Sequence, residues 1–248
     1  MPIRMLAVDT ASEICGVALA VDGKVGCEII VHHGTTHTKT VMQAVDAALK
    51  SCRLTIAQID IFAVTQGPGS FTGLRIGIST VKGLAVAMNR PMVGVSSLGV
   101  LAHQATGDTP LVCSLMDARR NEVYWSLYRR RVNGLVPVVA EQVGPALEIA
   151  DHIDAECLLI GNGIRACRLV LEPLLNERAQ WAAEEHNGLR PAVLARLGWE
   201  KYLEDGGRDV NSVGPVYLRK SDAELKSSTG VIKIDKKKIK DLSAGNFS

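Results

Sequence analysis

Aromatic residues make up only 4% of this 248-residue chain, against 47% hydrophobic residues overall, so the core has to be built from Ala, Val, Leu and Ile. No stretch approaches the roughly 18 apolar residues of a membrane-spanning helix. An excess of one charge is missing too. Lys and Arg number 28 and Asp and Glu 26, and a net charge of +2 gives no global case for nucleic-acid or membrane binding. None of the six cysteines (Cys15, Cys27, Cys52, Cys113, Cys157 and Cys167) forms a Cys-x-x-Cys pair. That argues against zinc and for buried, reduced thiols in a cytosolic protein. The start, Met1-Pro2-Ile3-Arg4 running into a strand-like segment, does not read as a secretory leader. The phosphate-binding Gly-Lys-Ser/Thr, the dinucleotide fingerprint and the Gly-x-Ser-x-Gly elbow are all lacking. Ser70 has no recognisable base, which excludes it as a nucleophile.

What the chain does have is Gln66-Gly67-Pro68-Gly69-Ser70-Phe71-Thr72-Gly73-Leu74-Arg75. It lies between an apolar run at 61–65 and an apolar-periodic segment at 74–88, and so reads as strand, glycine loop, helix. Backbone N–H groups at such a helix start can hold an anion, although a strand-to-helix turn also needs Gly for steric reasons.

Strand-like runs at 5–8, 16–21 and 24–31 open the chain, with Asp22-Gly23 as a tight hairpin turn. A helix is expected over 36–51, with Val41, Ala44, Val45, Ala48 and Leu49 on one face, then a strand at 61–64. After the glycine loop and its helix come a strand at 92–95 and a helix capped by Ser96 or Ser97. The second half repeats the pattern: strands at 111–116, 123–130 and 135–142, a helix near 146–152 and a strand at 157–160. Leu6-Ala7-Val8-Asp9 and Ser114-Leu115-Met116-Asp117 both end an apolar strand in Asp. This weak repeat of a whole domain predicts an α/β protein of two ribonuclease-H-like lobes, with a single open mixed sheet as the alternative. Helices near 165–176 and 190–203 follow, and the apolar patch at 213–218 reads as the last docked piece. Expected boundaries are 1–108 for the first lobe, 109–226 for the second and 227–248 for a flexible basic tail with Lys233, Lys236, Lys237, Lys238 and Lys240. The tail's sharper reading is contact with RNA phosphates.

Asp9 and Asp117 end corresponding strands, where a carboxylate either binds magnesium or orients a nucleophile, or simply suits a turn. With them, Thr10, Gly67, Gly69, Ser70 and Gly73 are the candidates beside a nucleotide or phosphate. His33 and His37 stand four apart, yet Gly34-Thr35-Thr36 between them reads as a helix entry. The nearest acids, Glu28 and Asp46, have no helical spacing to complete a site, so no metal is expected.

The segments 6–11, 66–77 and 91–98, together with Asp117-Ala118-Arg119-Arg120-Asn121-Glu122-Val123-Tyr124 and Pro215-Val216-Tyr217-Leu218-Arg219, resemble the TsaB (YeaZ) family in order across residues 3–225. The resemblance implies the acetate kinase/Hsc70/actin-like fold. It also implies a cytoplasmic role in adding the threonylcarbamoyl group to adenosine 37 of tRNA (t6A). TsaB members bind and support the transferase TsaD, with the ATPase TsaE joining them, and form a homodimer through the first lobe when alone. tRNA is then met only through the complex, and no cofactor is bound tightly, ATP/ADP and Mg entering at the level of the complex. In TsaD the segment after the Pro-x-x-Gly-Val strand carries His-x-x-x-His for the catalytic metal. Ser97 and Leu101 stand at those places here, and Leu101 cannot bind metal at all. The resemblance therefore implies a non-catalytic subunit. The rival reading is a stand-alone metal-dependent peptidase or phosphotransferase on the same fold. Partner contacts are expected from His37, Met42, Val45, Leu49, Arg75, Ile76, Ser79 and Lys82, although Val45, Leu49 and Ile76 also suit a core.

Overall fold

Apolar alternation along the first three runs makes an antiparallel meander of β1 (Arg4–Asp9), β2 (Ile14–Val21) and β3 (Lys24–His32). Asp22 and Gly23 both take positive φ, as a two-residue hairpin turn requires. The structure is a computed structural model that describes residues 1–32, 37–207 and 209–219, with His37 described in its backbone alone. The pair His33 and His37 and the tail 227–248 therefore lie outside the described side chains.

Helix α1 (His37–Ser51), β4 (Ile61–Gly67), α2 (Phe71–Met88) and β5 (Met92–Ser96) complete the first sheet, in the order β3-β2-β1-β4-β5. The strands β1, β4 and β5 run parallel. From Met5 to Asp9 every residue of β1 is buried, as a central strand covered on both faces must be. On the α1 stripe Val41, Ala44, Val45, Ala48 and Leu49 are buried, the face that the 3.6-residue period picks out.

Helix α3 (Ser97–His103) leads into a second sheet of β6 (Leu111–Asp117), β7 (Glu122–Arg131), β8 (Gly134–Pro145), β9 (Cys157–Ile160) and β10 (Ala179–Trp181). The expected 146–152 helix is the single turn α4 (Leu147–Ala150), and α5 (Ile164–Leu175) joins β9 to β10. The order β10-β9-β6-β7-β8 is that of the first sheet read from the other edge. Both begin with three antiparallel strands and continue with two parallel ones. The chain thus has two ribonuclease-H-like sheets and the actin-like architecture, and the single open sheet is set aside. Separate cores fill them, one around Leu6, Phe62 and Met92, the other around Trp125, Leu115 and Leu171.

Helix α6 (Pro191–Asp205) falls within 109–226, the range expected for the second lobe, but packs across the strands of the first sheet. Gly198 brings it against Ala63 and Met5, and Pro191 lies on Gly16. Its start is fixed by Glu28 of β3, which pairs with Arg190 and accepts the Ala192 N–H at 2.9 Å. An acid at a helix N-terminus meets both the free N–H groups and the positive end of the dipole.

Burial acts most strongly on the Glu28 carboxyl and pushes its pKa up. The Arg190 hydrogen bond, the Ala192 N–H and the Arg190 charge together outweigh burial and leave it below the ordinary 4.5. A carboxylate with a lowered folded pKa adds stability above its unfolded value, and that stability is lost as pH falls through the folded value. Because Arg190 is partly exposed, Glu28→Gln is expected to cost about 1 kcal/mol at neutral pH. The gap between variant and parent in urea titrations should close as the pH is taken below 4.5. A gap unchanged at low pH would remove Glu28 as the source.

Candidate functional site

The end of β1 and the start of α2 form one hydrogen-bonded unit. Asp9 is fully buried, and its Oδ1 accepts from the Thr65 hydroxyl at 2.6 Å and from the Ala11 N–H at 3.0 Å. Thr10 donates its hydroxyl to the Gly73 carbonyl at 2.7 Å. The Ser70 N–H donates to the Ala11 carbonyl at 2.7 Å, and the Ser70 hydroxyl caps α2 by accepting the Gly73 N–H at 3.2 Å. A side chain on Gly73 would collide with the Thr10 carbonyl, and one on Gly77 with the Thr10 hydroxyl. The glycines thus let a helix and a strand end touch through their backbones. Gly69 lies against the Ala11 carbonyl in the same way. Burial first, and the Asp9 charge second, push the nearby Cys15 thiol up to about 11.

The patch at 213–218 closes this unit from outside. The Val216 N–H donates to the Gln66 carbonyl at 2.7 Å, and the Val216 carbonyl sits over Gly67. Tyr217 stacks on Phe71 with ring centroids 4.6 Å apart. The Arg75 guanidinium lies 3.8 Å over the Phe71 ring, and its Nε donates to the Tyr217 hydroxyl at 3.1 Å. The glycine loop therefore faces its own chain, with Ser70 and Gly73 N–H groups already engaged. Sequence spacing suggested a cradle for an anion, and nothing local to the loop revealed a covering segment more than a hundred residues away. The only signal was the late Pro215–Arg219 motif.

Asp117 sits apart from this unit, exposed at the end of β6. Its Oδ1 accepts the Arg119 N–H at 2.7 Å, while its own N–H donates to the Asn162 side chain at 3.1 Å. Arg119, Arg120 and Asn121 all have positive φ, which makes the β6–β7 turn a tight left-handed one. Asp9, Thr10, Gly67, Gly69, Ser70 and Gly73 are thus brought together, and Asp117 belongs to the loops of the second sheet.

Of the expected contact residues, Met42, Arg75 and Ser79 are exposed and Ile76 and Lys82 half-buried. Val45 and Leu49 are corrected: both lie in the core, 1% and 8% exposed, on the α1 stripe that faces the sheet. Of His37 only the backbone, opening α1, is described. Arg75 is committed to Phe71 and Tyr217. The outer face of α2 continues from Ser79 through Gly83, where an added Cβ meets nothing within 4 Å, to exposed Val86 and Ala87.

Helix α3 is buried along Ser97 to Ala102, and Leu101 packs near Gly161 of the second sheet's loop. Its cap, Ser96, accepts the Gly99 N–H at 2.9 Å and donates to Glu141 of β8. Burial pushes the Glu141 carboxyl up, against the Ser96 hydrogen bond, which pulls it down. This link between the two sheets had no local sequence signal.

Residues 32–226 match the family described as TsaD, tRNA N6-adenosine threonylcarbamoyltransferase. The chain is 32% identical over 227 residues to the tRNA threonylcarbamoyladenosine biosynthesis protein TsaB of Bacillus subtilis, covering 90% of this chain and 97% of that one. Likeness to the protein of the same name from Escherichia coli is 32% over 230 residues, covering 89% and 96%. Among solved structures, YeaZ from Pseudomonas aeruginosa superimposes with a TM-score of 0.71 at 29% identity, covering 87% of this chain and all of that one. No helix of the described residues is long and apolar enough to cross a membrane.

Two alanine substitutions separate the packed glycines from the open one. Gly73→Ala is expected to cost about 2 kcal/mol through forced backbone displacement. Gly83→Ala, with empty space around it, should gain roughly 0.5–1 kcal/mol from helix propensity. Chemical denaturation of both variants checks this, and equal effects would mean that the β1–α2 contact is looser than described.

Proposed function

We infer that this chain, which belongs to the TsaB family, acts in tRNA threonylcarbamoyladenosine biosynthesis as the subunit that binds and supports a TsaD transferase. The observation that carries the non-catalytic part is the filled glycine loop. Ser70 and Gly73 spend their N–H groups on Ala11 and on the Ser70 hydroxyl, Val216 lies against Gln66 and Gly67, and Tyr217 stacks on Phe71. On this reading the loop serves to hold a helix against a strand. A second support comes from α3. The places of the metal-binding histidines of TsaD are taken by Ser97 and Leu101, both buried in packing.

The first lobe then supplies the partner surface. The outer face of α2, with Ser79, Gly83, Val86 and Ala87, offers small side chains flanked by half-buried Lys82, and Met42 of α1 is exposed. Small residues let another helix approach closely, and a flexible Met adapts to its surface. In this reading TsaD occupies that face in the working complex and TsaE joins it. A second copy of this chain occupies it when TsaD is absent. ATP/ADP and Mg act at the level of the complex, tRNA is met through it, and the complex works in the cytoplasm.

The test is a reconstituted modification assay with TsaD, TsaE, the threonylcarbamoyl-adenylate synthase and tRNA. Omitting this chain should abolish modification, and the chain alone should transfer nothing. Modification that proceeds unchanged without it, or transfer by the chain alone, overturns the reading. Ser79→Arg is expected to weaken TsaD binding by about tenfold or more, as for a charge placed in an interface centre. Its own stability should move by no more than about 0.5 kcal/mol, as at other surface sites. Calorimetric titration and urea denaturation give the two numbers. Full affinity in Ser79→Arg would move the interface elsewhere.

A further inference from the structure

Helix α5 carries apolar residues on both of its faces. Ile164, Cys167, Leu171 and Leu175 turn inward and are buried in the second core. Ala166, Leu169, Val170, Pro173 and Leu174 repeat the helical spacing on the opposite face, and all five are exposed, Leu169 at 89%. The charges of the helix, Arg165, Arg168 and Glu172, stand three and four residues apart and so share one flank. A continuous apolar stripe turned to solvent is the mark of an association surface. Since α5 joins β9 to β10, it belongs to the second sheet, whereas α2 belongs to the first.

The order of the charges says what fits the stripe. Its midpoint falls between Leu169 and Val170, with Arg165 and Arg168 before it and Glu172 after it. A two-fold axis through that midpoint, relating two antiparallel helices, sets Leu169 against Val170 of the other copy and small Ala166 against its Pro173. It also sets like flank beside like flank with the sequence reversed. Arg168 then comes within one residue's rise, about 1.5 Å, of level with the partner's Glu172. A parallel pair would set arginine beside arginine. Arg168 is already oriented, for it donates to Glu172 of its own helix at 3.1 Å and lies 5.2 Å from the centre of the Trp181 ring. A guanidinium has five donors, so that bond leaves others for a second carboxylate. Arg165, at the end of the flank, pairs with Glu184 of its own chain.

We propose that the outer face of α5 is a docking surface for a second copy of this chain, the two helices pairing antiparallel about a two-fold axis between Leu169 and Val170. Such a contact is isologous and closes at two copies. Leu169 and Val170 supply the apolar centre, and the alternating Arg168 and Glu172 of the two copies fix its direction. One helix face from each copy makes a small interface, below about 1,200 Å², so the dimer is weak and exchanges with concentration. This surface is separate from the α2 face, and the proposal stands independently of the assignment to tRNA modification.

The test is analytical ultracentrifugation of the full-length chain over a concentration series. It is run on Ser79→Arg, so that self-association through α2 does not mask a second contact. A monomer–dimer equilibrium should persist in Ser79→Arg. Adding Leu169→Arg should raise its dissociation constant by about tenfold or more, as for a charge at an interface centre. The circular dichroism spectrum should not change, because Leu169 faces solvent in the single chain. Arg168→Glu should also weaken the dimer, and Arg168→Glu combined with Glu172→Arg should restore it. The proposal falls if Ser79→Arg is monomeric throughout, or if Leu169→Arg leaves the dimer as tight. It falls as well if the double charge reversal fails to restore what the single one removed. Calorimetric titration of Leu169→Arg with TsaD and with TsaE covers the other occupants. Affinity lost there, with self-association unchanged, would give the face to that partner and overturn the proposal.

Discussion

The contact between the end of β1 and the first two turns of α2 is the constraint on which the rest of the first lobe depends. Thr10 reaches Gly73 and Gly77, Ser70 reaches Ala11, and Asp9 holds Thr65 of the neighbouring strand. The glycines at 73 and 77 leave room only for the Thr10 carbonyl and hydroxyl, so the helix is held close against the strand end. That fixes the outer face of α2. A surface meant to receive another helix gains from such rigidity, because little ordering remains to be done on binding.

The two sheets share one strand order yet are finished differently. The first receives two additions from the far end of the chain, α6 across one face and the 213–218 strap over the glycine loop. The second closes with the three-residue strand β10. In the first repeat the strand-ending Asp9 is buried and knit to its neighbours, and in the second Asp117 is an exposed turn residue. One architectural plan therefore carries two chemically distinct strand ends. Glu28 shows how the additions are held. A single acid in the edge strand catches both the arginine before α6 and a free N–H of its first turn.

Much of the fold was legible because local chemistry and tertiary packing agreed. Asp22-Gly23 marked the first hairpin, and the α1 stripe marked its buried face. The repeat of three strand-like runs, each set opening with an apolar strand that ends in Asp, revealed the two lobes. What stayed hidden was every feature made by residues far apart in sequence. The filled loop depends on Ala11, Val216 and Tyr217, and the return of α6 to the first sheet depends on Met5, Gly16 and Ala63. Val45 and Leu49 lie on the amphipathic stripe whose period already suited them to the core, and there they are buried.

The position of α6 bears on how the protein is made. The ribosome releases β1 to β5 long before residues 191–205. Until then the sheet face holding Met5, Ala63 and Gly16 has no cover. The nascent first lobe therefore spends the synthesis of a whole second sheet as a two-layer intermediate with one apolar side open, the kind of species that chaperones bind. Completion of the first lobe comes last, although its strands are made first.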